Sequence, residues 1–138
     1  MPLFLVDVPP VLDNPNHLAR MYVLAFGAQD PILSRMYVQH WAIIPNLAID
    51  LVSPEMLKFL PIYLAGRLVL AATLLMPLLG VSAYHRAAFR VRSYWSLATG
   101  LTAYNALFLL GLVNFLLSLG MALLAAAAWL RWRASHPV

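Results

Sequence analysis

The 70 residues from Pro61 to Leu130 contain neither Asp nor Glu, and their only charged groups are Arg67, Arg86, Arg90 and Arg92. A soluble domain must cover its surface with charged and polar groups, so a stretch of this length without an acid belongs in a bilayer. The whole chain agrees, at 63% hydrophobic and 10% charged residues. Soluble globular proteins run at about 45–50% and about 25%. The expected fold class is therefore an all-α integral membrane protein.

Charge divides the chain. Residues 1–60 hold three basic residues, Arg20, Arg35 and Lys58, against five acidic ones, a net of −2. The remainder holds six arginines and no acid, a net of +6. These arginines bracket apolar runs, which is the pattern of membrane orientation rather than of a nucleic-acid-binding face. With no cysteine, disulfide and thiolate chemistry are excluded. The four histidines, His17, His40, His85 and His136, are scattered and make no metal-ligand spacing.

The expected domains are an extracytoplasmic or interfacial segment of short helices over 1–60, a transmembrane region over 61–133 and a cytoplasmic tail over 134–138. Met1 to Val11 lacks the basic start and apolar core of a signal peptide, and Pro9 and Pro10 stop a helix from continuing. Asn14-Pro15, Asp30-Pro31 and Ser53-Pro54 each set a capping side chain before a proline, a helix-start signal. The spacing predicts amphipathic helices over about 15–26 and 31–39, with Leu18, Met21, Tyr22 and Ala25 on one face of the first. The link from His40 to Val52, with Ile44-Pro45-Asn46, is compatible with a helical turn or an extended stretch. Such helices lack the core to stand alone and suit a membrane surface.

About three spans are expected, over 61–84, 93–110 and 114–130, with Pro77 kinking the first. Residues 93–130 would measure about 57 Å as one helix, so a fold-back is placed near Gly111 and Asn114. The arginine loop Arg86, Arg90, Arg92 and the closing pair Arg131, Arg133 put the C-terminus in the cytoplasm and the N-terminus outside. Ser118, Ala122 and Ala126 make a small-residue stripe suited to a helix-packing partner or homo-oligomer.

The stretch Asp13-Asn14-Pro15-Asn16-His17-Leu18-Ala19-Arg20 carries the clearest chemistry. It collects a carboxylate, an imidazole and a guanidinium at one helix N-terminus, suited to proton abstraction and anion binding together. The same residues suit plain helix capping. Arg67 serves equally as a phosphate contact or an arginine snorkelling to the interface. Asn105 and Asn114 are polar groups in apolar surroundings, explained by interhelical hydrogen bonding without any substrate.

Together with Pro45-Asn46-Leu47-Ala48-Ile49-Asp50-Leu51-Val52, Ala65-Gly66-Arg67, Ala103-Tyr104-Asn105 and Val113-Asn114-Phe115, this stretch resembles the N-terminal part of bacterial polytopic membrane proteins of the GT-C glycosyltransferase type, apparently truncated. The resemblance implies an inner-membrane enzyme that takes a sugar from a polyprenyl-phosphate donor. Asp13 would be the general base, His17 its catalytic neighbour, and Arg20, Arg67, Asn105 and Asn114 substrate-binding residues, while Asp50 could be a second acid or a solvated cap. It implies no metal site here, and a piece of such an enzyme is expected to be inactive alone. Two other readings remain open: a non-catalytic membrane subunit that packs with partner helices, and part of a transporter with Arg67, Asn105 and Pro77 along its path.

Overall fold

The computed structural model describes residues 2–42, 47–91 and 93–135. The expectations for Ile44-Pro45-Asn46, Arg92 and His136 lie outside them. Among the described residues every regular element is helical. The chain forms two compact units, Met1–Ala71 and Ala72–Val138.

The first unit opens with a short 3-10 helix, Pro2–Phe4, followed by α1 (Asn14–Phe26), α2 (Leu33–Met36) and α3 (Ala48–Leu57). α1 packs on α3. Leu18, Met21, Ile49 and Leu57 are buried, joined by Leu3 and Val11 from the lead. Of the three expected cap signals, Asp30 acts as one: its Oδ1 accepts from the backbone N–H of Ile32 at 2.8 Å and Leu33 at 3.0 Å. The helix it starts is shorter than the 31–39 expected. Ser53-Pro54 does not start a helix. It lies inside α3, where the Ser53 hydroxyl donates to the Ile49 carbonyl.

α4 (Ile62–Phe89) begins in the first unit and continues through Pro77 into the second. Its 28 residues, and the 23 of α6 (Val113–Ser135), make two helices long and apolar enough to cross a membrane. At 1.5 Å per residue they measure about 42 and about 35 Å. Only 39% of the most apolar window of α4 and 22% of that of α6 is buried. A core helix of a soluble fold would hide such a surface.

In the second unit the glycines fix how α4 meets α6. A Cβ on Gly120 would stand 2.5 Å from the Met76 carbonyl carbon, and one on Gly80 would stand 2.7 Å from the Gly120 oxygen and 2.9 Å from the Leu123 Cβ. Backbone touches backbone here because neither residue has a side chain. Moving from Met76 to Gly80 carries the contact from Gly120 towards Leu123, so the two helices run in the same direction.

A parallel pair needs a return path. Phe89 lies 13 residues beyond Met76 and Val113 lies 7 before Gly120, so the connection runs back about 30 Å. Where one regular span over 93–110 is expected, the structure has a nine-residue 3-10 helix, Tyr94–Thr102, and the short α5 (Ala106–Leu110). The hydroxyls explain the departure. Ser96 donates to the Ser93 carbonyl at 3.3 Å and Thr102 to the Thr99 carbonyl at 2.9 Å. Such three-back bonds, with Gly100 between them, favour the tighter turn over the α-helix. Asn105 then caps α5, and Gly111, at φ 86°, turns the chain into α6.

Candidate functional site

Asp13 occupies the cap position of α1, yet its carboxylate makes no hydrogen bond to a backbone N–H there. Its Oδ1 accepts from the Asn16 amide at 2.7 Å, and its Oδ2 lies 3.3 Å from His17 Nε2. The carboxylate is 45% exposed and the imidazole 20%. Capping therefore does not account for this acid. The carboxylate fixes the imidazole edge and stays open to solvent, an arrangement able to accept a proton.

Helical spacing sets Arg20 on the same face as Asp13 and His17. Its guanidinium is held side-on by Asp50, with Nε to Oδ1 at 2.7 Å and Nη2 to Oδ2 at 2.6 Å. Asp50 is buried, so it is neither a solvated cap nor an acid open to substrate. Hydrogen bonding to Asp50 raises the Arg20 pKa above its ordinary value, against a smaller opposing effect of burial. Two-point pairing spends the Nε–Nη2 edge and orients the rest of the fork. Arg20 lines a cavity of about 410 Å³ with Tyr37, Gln39 and His40. Gln39 builds that wall by donating to the Val23 carbonyl at 2.7 Å and the Leu24 carbonyl at 3.1 Å, the open end of α1.

The opposite face of α1 borders a larger, open and mostly apolar groove of about 780 Å³, lined by Pro15, Leu18, Tyr22, Leu33, Ile62 and Tyr63. The acid–imidazole pair is not among its lining residues.

Arg67 is turned to its own helix and to the N-terminal lead. Its Nε donates to the Tyr63 carbonyl at 3.2 Å and its Nη1 to the Val6 carbonyl at 3.5 Å, and Asp7 lies 3.6 Å away. The Phe4 ring sits 6.0 Å from the guanidinium carbon. It ties the N-terminal lead to α4.

The two asparagines belong to the second unit. Asn105 Oδ1 accepts from the Phe108 N–H at 3.0 Å, and Asn105 borders a cavity of about 200 Å³ with Thr73, Pro77, Thr99, Leu116 and Leu123. Asn114 Oδ1 is buried with no hydrogen-bond partner among the described residues. The structure thus gathers Asp13, His17 and Arg20 on one face, and Arg67, Asn105 and Asn114 at other places.

Sequence reasoning missed two contributors. Asn16 sits three residues after Asp13, a spacing that signals a side-chain pair, whereas the role of Asp50 depends on a contact across 30 positions. Among the described residues no group of three His, Asp or Glu side chains could hold a metal ion. Compared with known proteins, the chain matches no family model, no curated protein and no solved structure.

Proposed function

We propose that the chain is a membrane module whose α1 face of Asp13, His17 and Arg20 acts on a phosphorylated, lipid-linked sugar, in the manner of the GT-C-type transferases its motifs resemble. The carrying observation is that Asp13 makes no capping bond and is instead paired with Asn16 and His17, on the face that also bears Arg20. In the proposed reaction the Asp13 carboxylate takes the proton of an acceptor hydroxyl. The acceptor oxygen bonds the anomeric carbon as the bond from that carbon to the phosphate oxygen breaks, and the polyprenyl phosphate leaves with its charge beside Arg20.

The module crosses the bilayer three times, with the 3-10 helix and α5 as the middle crossing, the N-terminus extracytoplasmic and the C-terminus in the cytoplasm of a bacterial cell. The parallel run of α4 and α6 supports this, because it sets Arg86 and Arg133 at like ends. Residues 1–60 lie on the outer surface, a reading supported by exposed apolar side chains such as Leu5, Leu12, Ile32, Met36 and Phe59.

The test is sugar transfer from a polyprenyl-phosphate donor by a full-length protein carrying this segment in membranes. Asp13→Asn should lose transfer about a hundredfold or more while inserting normally. Transfer at the parent rate by that variant sinks the proposal. A second reading, a non-catalytic subunit, is favoured by the exposure of Ser118 and Ala122 on α6. It expects Ala122→Leu to break a co-purifying complex.

A further inference from the structure

At the end of α4 the chain builds a second polar site unrelated to the α1 face. Ser82, His85 and Arg86 stand at three- and four-residue spacing and so share one side of the helix. Arg90 adopts φ 56°, a left-handed turn that ends the helix and reverses the chain. That reversal brings Ser93, Tyr94 and Ser96 back, and together these residues line a cavity of about 240 Å³.

The lining asks for an anion. The Ser82 hydroxyl oxygen is shielded from solvent and has no hydrogen-bond partner among the described residues. An unmatched polar group of this kind is destabilising until something bonds it. Ser93 Oγ accepts from the Trp95 N–H at 3.2 Å, which leaves its own hydrogen to donate. The His85 ring is steadied by Phe89, with centroids 4.9 Å apart. Arg86 has no acidic side chain to pair with anywhere in residues 61–138, since all five acids precede that stretch. The cavity therefore combines a cation, hydroxyl donors and an imidazole without a carboxylate.

We propose that this cavity binds a tetrahedral phosphate group, either the headgroup of an anionic lipid or free phosphate. Arg86 supplies the charge and a forked donor, and the Ser82 and Ser93 hydroxyls bond the remaining oxygens. A carboxylate in the lining would repel such a ligand, and none is present there.

The test is calorimetry on the full chain in neutral detergent micelles, titrated with inorganic phosphate and with dihexanoyl phosphatidic acid, against dihexanoyl phosphatidylcholine as the zwitterionic control. Phosphatidic acid should bind above that control, with Arg86→Gln weakening it about tenfold and Ser82→Ala about threefold. Arg131→Gln, a charge towards the same end of the helix pair but outside the cavity lining, should leave it unchanged. Competition by inorganic phosphate assigns the site to the phosphate group itself, and binding of the lipid alone assigns it to a headgroup; both support the proposal. Equal weakening by Arg86→Gln and Arg131→Gln overturns it, because the attraction is then diffuse charge. Absence of binding by both probes overturns it too. If Arg86→Gln fails to fold, Ser82→Ala decides, and unchanged affinity in that variant rejects the site.

Discussion

Arg20 and Asp50 lie 30 positions apart and meet edge to edge, two nitrogens on two oxygens at 2.7 and 2.6 Å. The carboxylate side chain is 7% exposed and the guanidinium 57%. The pair is thus asymmetric: Asp50 is the buried member that needs its partner, while Arg20 reaches solvent. Removing the arginine strands a buried charge, whereas the pair itself, half open to water, adds little net stability.

Arg20→Ala should therefore destabilise the first unit by about 2 kcal/mol, read by thermal unfolding in detergent. Arg20→Lys should recover only part of it, because a point charge cannot bond both oxygens side-on. If Arg20→Ala unfolds like the parent, α1 and α3 are held by their apolar contact alone.

The same pair fixes the sign of an alkaline effect. A guanidinium raised above its ordinary value contributes stability that is complete below its unfolded value and fades as pH climbs through the folded one. For arginine that window opens only above about pH 12. Raising pH from 8 to about 10 should thus leave any stability difference between parent and Arg20→Ala unchanged. A difference that shrinks across that range would show that another group titrates within the pair.

Gly120 and Gly100 make a controlled comparison. A methyl on Gly120 would meet the Met76 backbone at 2.5 Å, while one on Gly100 meets nothing within 4 Å. Gly120→Ala should push α4 from α6 and cost about 1–3 kcal/mol. Gly100→Ala should be neutral or stabilising by a few tenths up to about 1 kcal/mol. Unfolding in mixed micelles ranks the two, and equal effects would contradict the close packing of the helices.

Much of this architecture is legible in the sequence because long apolar helices are specified by composition over long windows. The acid-free run marks α4 and α6, and Pro15 with Gly27 brackets α1. The middle segment is not legible in that way. Its apolar content reads as one regular helix, but the Ser96 and Thr102 hydroxyls bond carbonyls three residues back, within a 3-10 helix. Within the chain, close approach of α4 and α6 is made by Gly80 and Gly120, 40 residues apart, which stand out less in the sequence than the stripe Ser118, Ala122 and Ala126. At the site, the Asp13–His17 pair follows from helical spacing. No local pattern could announce that Asp50 would hold Arg20, or that Arg67 would bind the lead at Val6.

Arg90 ends α4 in the left-handed region at φ 56°, where a Cβ crowds the following carbonyl. Glycine is at ease there and arginine is not, so Arg90→Gly should relieve about 1 kcal/mol of backbone strain. Part of this is returned because glycine also loosens the unfolded chain, leaving a net gain of roughly 0.5 kcal/mol. Arg90→Val, branched at Cβ, should instead lose about 1–2 kcal/mol relative to the parent. Unfolding of the two variants against Arg90→Ala separates backbone strain from loss of the charge. The order glycine, alanine, valine supports a strained turn, and equal stability of all three would place the chain reversal elsewhere.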